Sequence, residues 1–133
     1  MGDNELKKIL IAEDEQDIKD IEKMALEMLG SFEVETCSNG MEVQEKAVSY
    51  APQLILLDVM MPIMDGPQAL AVLAENEKTK HIPVIFVTAK AMETEIERLL
   101  SLGAIGVITK PFDPATLSQQ VLEIWEGRKG SAS

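Results

Sequence analysis

The chain has 133 residues and a single cysteine, so it is long enough to bury one hydrophobic core and is predicted to be one domain in a reducing, cytoplasmic compartment. Its 23 acidic and 12 basic residues give a formal net charge of -11, which repels a phosphate backbone and argues against direct nucleic-acid binding. No apolar run approaches the roughly 20 residues of a membrane span, so membrane insertion is not expected.

The first part of the chain predicts two strands separated by a helix. Residues 9–12 form a short apolar run typical of a buried strand. A helix follows that ends at Gly30, and its inward stripe is expected to be Ile18, Ile21, Ala25 and Met28. The second strand, residues 32–37, alternates apolar and acidic side chains. The first and third strands are apolar throughout, so the second is placed near an edge of the sheet.

The middle of the chain repeats this pattern. A second helix begins after Gly40 and ends near Pro52, with Val43, Ala47 and Val48 on its inner stripe. Residues 54–58 are the third strand. A third helix opens at 65–67 and carries Leu70 and Leu73, and Pro83 introduces a fourth strand over 84–87.

The last part of the chain contains the fifth strand and helix. A fourth helix carries Met92, Ile96 and Leu99 and ends at Gly103, and residues 107–108 are a short strand. Asp113 is predicted to cap a fifth helix that begins at Pro114 and packs through Leu117, Val121 and Ile124. Residues 1–6 are interpreted as an N-terminal extension, 7–127 as the domain, and 128–133 as a disordered tail.

Five alternating strand and helix patterns indicate repeated βα units around a parallel sheet. The edge position of the second strand favours a flavodoxin-like (βα)5 doubly wound sandwich with strand order 2-1-3-4-5. In such sheets, ligands bind in the crevice beyond the carboxyl ends of the strands. Functional side chains are therefore expected at those ends.

Polar side chains follow four of the predicted strands. Glu13 and Asp14 follow the first, Asp58 ends the third, Thr88 ends the fourth and Lys110 follows the fifth. Carboxylates about 4 Å apart repel each other by roughly 4 kcal/mol at an effective dielectric near 20. A divalent cation would relieve that repulsion, and Mg²⁺ prefers one or two carboxylates together with water and phosphate oxygens. The pattern predicts a site that binds Mg²⁺ and handles phosphoryl groups.

Taken together, these motifs resemble a response-regulator receiver domain, and in particular the single-domain chemotaxis-regulator type. The resemblance covers about Lys7 to Gly127. Its motifs are Glu13-Asp14, Asp58 followed by Met61-Pro62 and Asp65-Gly66, Val87-Thr88-Ala89, and Lys110-Pro111-Phe112. It implies that a histidine kinase or a histidine phosphotransfer protein donates a phosphoryl group to the domain. The signal would then pass by protein contacts to a downstream target that the sequence does not identify.

The resemblance also implies a role for each residue. Asp58 is the nucleophile and the site of phosphorylation, Lys110 neutralises phosphoryl charge, and Thr88 hydrogen-bonds the phosphoryl group. The ligands of Mg²⁺, or of Mn²⁺ in its place, are expected to be Glu13, Asp14, Asp58 and the Met60 carbonyl. The Lys110–Pro111 peptide bond is expected to be cis.

One position departs from the family pattern. Val107 lies where the family usually has an aromatic residue that turns inward as the threonine moves. Either switching in this chain runs through the Thr88 loop and the face of helix four, strand five and helix five, or phosphoryl transfer proceeds without a strong conformational readout.

Three functions are compared. The first is a phosphorylation-dependent binding switch, and the second is a relay intermediate or phosphate sink. The third is a haloacid-dehalogenase-like phosphatase, which would place an Asp-x-Asp pair after the first strand, where this chain has Glu13-Asp14-Glu15. The domain is expected to catalyse its own phosphorylation and dephosphorylation without being a multiple-turnover enzyme.

Several other residues are given structural roles. His81 is expected in a solvated loop, Cys37 as a small buried hydrophobe and Trp125 packed at the edge of the fifth helix. The acidic residues interpreted as solvated helix faces are Glu22, Glu27, Glu42, Glu45, Glu93 and Glu97.

Overall fold

Five strands and five helices alternate along the chain in the computed structural model, which describes residues 5–132, with side chains to residue 128. The strands are β1 (Lys8–Ala12), β2 (Glu33–Cys37), β3 (Leu54–Asp58), β4 (Val84–Thr88) and β5 (Gly106–Thr109). The helices are α1 (Gln16–Gly30), α2 (Gly40–Tyr50), α3 (Gly66–Glu75), α4 (Glu93–Ser101) and α5 (Pro114–Ala132). Each predicted element is present, with its bounds shifted by a few residues.

The strands form one parallel sheet in the order β2-β1-β3-β4-β5, which confirms the predicted topology. The register aligns the carboxyl ends of the inner strands, because Ala12 lies beside Leu57 and Asp58 lies beside Val87. On the β5 side, Thr88 is the partner of Thr109. The residues that follow these positions therefore meet at one edge.

The core consists of two apolar layers, one on each face of the sheet. Ile9 and Ile11 of β1 face α1 and α5, whereas Leu10 and Ala12 face the opposite layer, as the period of two in a strand requires. Cys37 is buried as predicted and lies in the second layer, and burial raises the pKa of its thiol to about 12. Because the central strands are covered on both faces, polar side chains are accommodated mainly at the strand ends.

The orientation of α1 differs from the prediction. Ile21 is 43% exposed and Met28 is 74% exposed, although both were expected to face inward. The buried residues of α1 are Lys19, Glu22, Ala25 and Leu26. Apolar residues occur around much of this helix, so spacing alone did not determine which of them pack on the sheet.

Two smaller expectations about helix faces also need correction. Val48 of α2 is exposed instead of lying on the inner stripe, because Val43 and Ala47 already fill the contact with the sheet. Met92 precedes α4 as its exposed N-cap residue, so the inward face of that helix rests mainly on Leu99.

Both ends of the domain extend beyond the predicted boundaries. Leu6 is buried in the first core layer, so the packed domain includes a residue that was assigned to the N-terminal extension. At the other end, α5 continues to Ala132, although a disordered tail was predicted from residue 128. The helix can continue past Gly127 because a glycine inside a helix costs only about 1 kcal/mol of stability. The contact of Arg128 with Trp125, 3.7 Å from the centre of the ring, also supports this part of the helix. Residues 1–4 and 133 lie outside the described part of the chain.

Side-chain caps begin three of the helices. Asn39 accepts a hydrogen bond from the Glu42 amide at the start of α2. Asp65 and Gln68 form a reciprocal capping box at the start of α3. The predicted cap of α5 is confirmed, because Asp113 accepts from the Ala115 amide at 2.9 Å.

None of the helices within residues 5–132 combines the length and the hydrophobicity that a membrane span needs.

Ile63, in the loop between β3 and α3, provides a test of this backbone. It has a positive φ of 71° and is 77% exposed. A left-handed conformation costs a β-branched residue roughly 1–2 kcal/mol, and asparagine tolerates it better. We expect Ile63→Asn to raise the free energy of unfolding by about 1 kcal/mol, measured by urea denaturation. Ile63→Val, which keeps the branched side chain, is the control; a loss of stability in the asparagine variant would contradict the assigned backbone conformation.

Candidate functional site

The carboxyl edge of the sheet brings the predicted acidic residues together. Glu13 follows β1 directly, Asp14 comes next, and Asp58 is the last residue of β3. Each offers a carboxylate oxygen, and these three oxygens all lie within 4.8 Å of one another. Glu13 and Asp58 are 1% and 4% exposed, whereas Asp14 is exposed to solvent. The cluster thus has a buried wall and an open side.

Lys110 joins this cluster from the loop after β5. Its Nζ lies 2.9 Å from Glu13 Oε1 and 3.2 Å from Asp58 Oδ1. Its backbone amide donates to the Thr88 carbonyl at 2.8 Å, which ties the loop to the end of β4. The Lys110–Pro111 peptide bond is cis, in agreement with the expectation from the family resemblance. One ammonium is therefore shared between two buried carboxylates.

The loop after Asp58 is held close to the end of β3. The Val59 amide donates to the Val87 carbonyl at 3.0 Å, and the Gly66 amide donates to the Val59 carbonyl at 2.9 Å. A Cβ atom on Gly66 would lie 2.5 Å from the Asp58 carbonyl oxygen. Only glycine permits this close approach, which places the start of α3 directly behind the site.

The buried charges shift the pKa values of Asp58 and Lys110. Burial, together with the negative charge of Glu13, raises the pKa of Asp58 to about 7, and Lys110 only partly opposes this rise. Burial disfavours the charged form of Lys110, but the hydrogen bond to Glu13 and the charge of Asp58 outweigh it and raise the pKa of the ammonium. Lys110 therefore stays charged at neutral pH, whereas the ionised form of Asp58 is disfavoured.

Thr88 and Val107 lie on the same side of the sheet. Thr88 is buried, and its Oγ1 accepts a hydrogen bond from the Lys90 amide at 3.0 Å. Val107 pairs with Phe86 in the register of β4 and β5 and packs, half-buried, against the second core layer. Met60 follows Asp58 by two residues and has an exposed side chain. The roles predicted for Thr88, Val107 and the Met60 carbonyl remain predictions.

Glu22 is a residue that the sequence interpretation missed. It was assigned to a solvated helix face, yet it is 1% exposed, and its Oε1 has no hydrogen-bond partner within the described residues. Burial and the negative charge of Glu13 raise its pKa to about 8, with Lys110 opposing the shift. Its spacing of three and four residues from Lys19 and Leu26 is the sequence signal of a shared face, but only the orientation of α1 shows that this face is buried.

The donor set fits a hard divalent cation. Three carboxylates converge, and oxygen ligands of this kind suit Mg²⁺ or Mn²⁺. A cation would also offset the repulsion that raises the pKa of Asp58. The residues present therefore meet the chemical requirement of a magnesium site.

Comparison with known families and proteins gives a consistent result. The model of the response regulator receiver domain matches residues 9–122. The response regulator Rre1 of Synechocystis is 30% identical over 93% of this chain and 54% of its own length. The transcriptional regulatory protein SrrA of Staphylococcus aureus is 43% identical over 80% of this chain and 42% of its own length. The chain thus spans about half the length, or less, of these curated relatives.

Solved structures show the same likeness. The chemotaxis response regulator CheY4 of Vibrio cholerae superposes with a TM-score of 0.82 at 28% identity, covering 90% of this chain and 99% of that one. A signal receiver domain of a histidine kinase from Syntrophus aciditrophicus gives a TM-score of 0.77 at 33% identity, covering 91% of both chains.

The buried Glu22 carboxyl predicts a pH-dependent stability. Its pKa is raised from 4.5 to about 8, so the unfolded chain releases this proton at a lower pH than the folded one, and stability falls as the pH rises from 4.5 to 8. The loss is at most about 5 kcal/mol by linkage. We expect Glu22→Gln to gain stability relative to the parent chain across this range, measured by urea denaturation without divalent cations.

A matched variant separates this effect from a general change of charge. Glu27 lies on the same helix and pairs with Lys23 at 2.7 Å on the exposed face. Glu27→Gln should show no comparable dependence on pH. Parallel stability curves for Glu22→Gln and the parent chain would show that the Glu22 carboxyl ionises normally in the folded protein.

Proposed function

The chain belongs to the response-regulator receiver family, and we propose that Asp58 is the residue through which it accepts a phosphoryl group in a two-component His-to-Asp phosphorelay. One observation carries this proposal. The Asp58 carboxylate is buried at the carboxyl edge of the sheet, 3.2 Å from Lys110 Nζ and within 4.8 Å of two further carboxylates. This environment combines a nucleophile, a fixed cation and a set of metal ligands.

The proposed reaction transfers the phosphoryl group from a phosphohistidine to an Asp58 oxygen. A lone pair of the carboxylate forms the new P–O bond while the P–N bond breaks, and its electron pair leaves with the imidazole. Lys110 is positioned to neutralise charge on the phosphoryl oxygens, and the Thr88 hydroxyl is available to hydrogen-bond one of them after transfer. The product is an acyl phosphate on Asp58.

The metal ligands proposed for this site are Glu13, Asp14, Asp58 and the Met60 carbonyl. These residues would hold Mg²⁺ or Mn²⁺, whose positive charge would offset phosphoryl charge and favour the ionised form of Asp58. Because burial and the negative charge of Glu13 raise the pKa of Asp58, the chain alone disfavours the ionised form of this nucleophile. The ionisation of Asp58 is therefore coupled to the positive charge held near it.

The domain is proposed to act as a signalling protein and not as a multiple-turnover enzyme. It would catalyse its own phosphorylation and dephosphorylation. Membership of the receiver family also argues against the phosphatase alternative. That alternative requires an Asp-x-Asp pair, whereas the chain has Glu13-Asp14-Glu15 at this position.

The proposed partners are a histidine kinase or a histidine phosphotransfer protein, together with a downstream protein that the chain does not identify. A cytoplasmic location also remains a proposal. Between a binding switch and a relay, we propose a switch that runs through the loop after Thr88. The Thr88 hydroxyl accepts a hydrogen bond from the Lys90 amide. If this hydroxyl moved to bond a phosphoryl group, the loop that contains Lys90 would therefore move as well.

The acceptor residue can be tested by intact-mass analysis. We expect the parent chain to gain the mass of one phosphoryl group when it is incubated with acetyl phosphate and Mg²⁺, and Asp58→Asn to gain none. Asp65→Asn is the matched control, since Asp65 caps α3 in the same loop and asparagine caps a helix equally well. Phosphorylation of Asp58→Asn, or a parent chain that is inert with every divalent cation, would contradict the proposal.

The switching route can be tested by hydrogen exchange with a beryllofluoride mimic of the phosphoryl group. We expect the mimic to change exchange in residues 88–92, and Val107→Tyr to leave this change intact because the Thr88 hydroxyl drives it. Thr88→Val removes the hydroxyl while keeping the shape of the side chain and should abolish the change. A response that appears only in Val107→Tyr would show that an aromatic residue is required for switching.

A further inference from the structure

A second pocket lies at the amino edge of the sheet, opposite Asp58. It has a volume of about 330 Å³, within the lower range of ligand pockets. Its walls come from the residues that precede β3 and β4 and from the end of α5. The five residues of β3 separate it from Asp58 by roughly 15 Å at 3.3 Å per residue. It is therefore distinct from the phosphoryl-transfer site.

Arg128 is the residue of this pocket that indicates which ligand it would bind. Its guanidinium stacks on Trp125, 3.7 Å from the centre of the ring. Its Nε is buried and has no hydrogen-bond partner in the part of the chain that the structure describes. A buried donor without an acceptor is unfavourable, because the hydrogen bond that it makes to water in the unfolded chain is not replaced, and such groups are rare in folded proteins. An anionic ligand would supply the acceptor.

The charge of the lining supports an anion. The chain carries a net charge of -11, yet the described lining residues include no Asp or Glu. His81 lies in this lining together with Arg128, so both ionisable groups of the lining are basic types. The other arginine, Arg98, is paired with Glu95 at 3.0 Å, whereas Arg128 has no carboxylate partner within residues 5–128.

The walls are partly apolar, and hydrogen bonds fix one of their polar side chains. Pro52, Ile82 and Pro83 contribute apolar surface. Gln53 is fixed in place, because its Oε1 accepts from the Lys7 and Lys8 amides at 2.6 and 3.0 Å and its Nε2 donates to the Glu5 carbonyl. The stacked guanidinium is likewise held in one plane, which suits two parallel hydrogen bonds to a carboxylate or phosphate.

From these features we infer that the pocket formed by Arg128, Trp125, His81 and the segments before β3 and β4 binds a small organic anion. The ligand would carry a carboxylate or a phosphate-like group that pairs with Arg128, and a compact apolar body that contacts the prolines. The same chemistry could come from a free small molecule or from the carboxyl terminus of a peptide.

The test uses the full chain without divalent cations, so that the site at Asp58 does not recruit the anion through a metal. Benzoate and phenylphosphonate serve as probes, because neither can transfer a phosphoryl group, and neutral benzamide is the isosteric control for benzoate. Binding is followed by the fluorescence of Trp125, the single tryptophan of the chain, and by amide NMR shifts. We expect saturable binding of both anions, with shifts centred on residues 81–83 and 125–128, and none of benzamide.

Two variants identify the anchor. Arg128→Gln should weaken binding by about tenfold or more, as expected when a charged hydrogen bond is lost. Arg98→Gln makes the same substitution at the paired arginine on α4 and should leave binding unchanged. If Arg128→Gln loosens the end of α5, Arg128→Lys keeps the charge but lacks Nε and the planar fork, and it should also bind more weakly. Because removal of the guanidinium can alter the fluorescence of Trp125, the affinity of these variants is measured from NMR shifts.

A peptide arm distinguishes the source of the anion. A short apolar peptide with a free carboxyl terminus is compared with its amide. Tighter binding of the free acid than of benzoate would assign the pocket to peptide termini, and the reverse would assign it to free small molecules. The inference is overturned by equal binding of benzamide, by unchanged binding in Arg128→Gln, by shifts confined to residues 13, 14, 58 and 110, or by the absence of saturation.

Discussion

The ion pairs of Lys110 with Glu13 and Asp58 are the interaction on which the site depends. Two carboxylates that are almost fully removed from solvent would repel each other by roughly 4 kcal/mol at 4 Å and an effective dielectric of 20. The ammonium lies 2.9 Å from one and 3.2 Å from the other, and it partly offsets that repulsion. The offset is incomplete, because the pKa of Asp58 is still raised to about 7. The negative charge that Lys110 does not neutralise makes this edge of the sheet suitable for binding a cation.

The architecture explains why these groups lie at this edge. The inner strands are covered by helices on both faces, so their side chains are apolar over nearly their whole length. Polar groups can then be held firmly only where strands end and loops begin. The backbone hydrogen bonds of Val59 and Lys110 tie the loop after β3 and the loop after β5 to the end of β4, and the Gly66 amide closes the first of these loops by donating to the Val59 carbonyl. The sheet therefore brings residues that are distant in sequence to one edge, where the ion pairs of Lys110 can form.

Much of this could be predicted from the sequence, because two simple regularities carry it. Alternating strand and helix patterns led to the strand order, and strand-ending polar residues led to the cluster of Glu13, Asp14 and Asp58. The face of α1 could not be predicted in the same way, since apolar residues surround the helix and its rotation depends on packing against β1 and α5. The burial of Glu22 was missed for that reason. The pocket at Arg128 had no sequence signal, because its walls come from three separate segments with no motif among them.

The buried state of Cys37 has a practical consequence. Its thiol is covered by the second core layer, and burial raises its pKa to about 12, so the reactive thiolate is scarce at neutral pH. The native protein should therefore resist alkylating reagents at its own cysteine. A cysteine introduced on any exposed helix face would then be the site of labelling, which allows spectroscopic probes to be attached at single chosen positions without first removing the natural thiol.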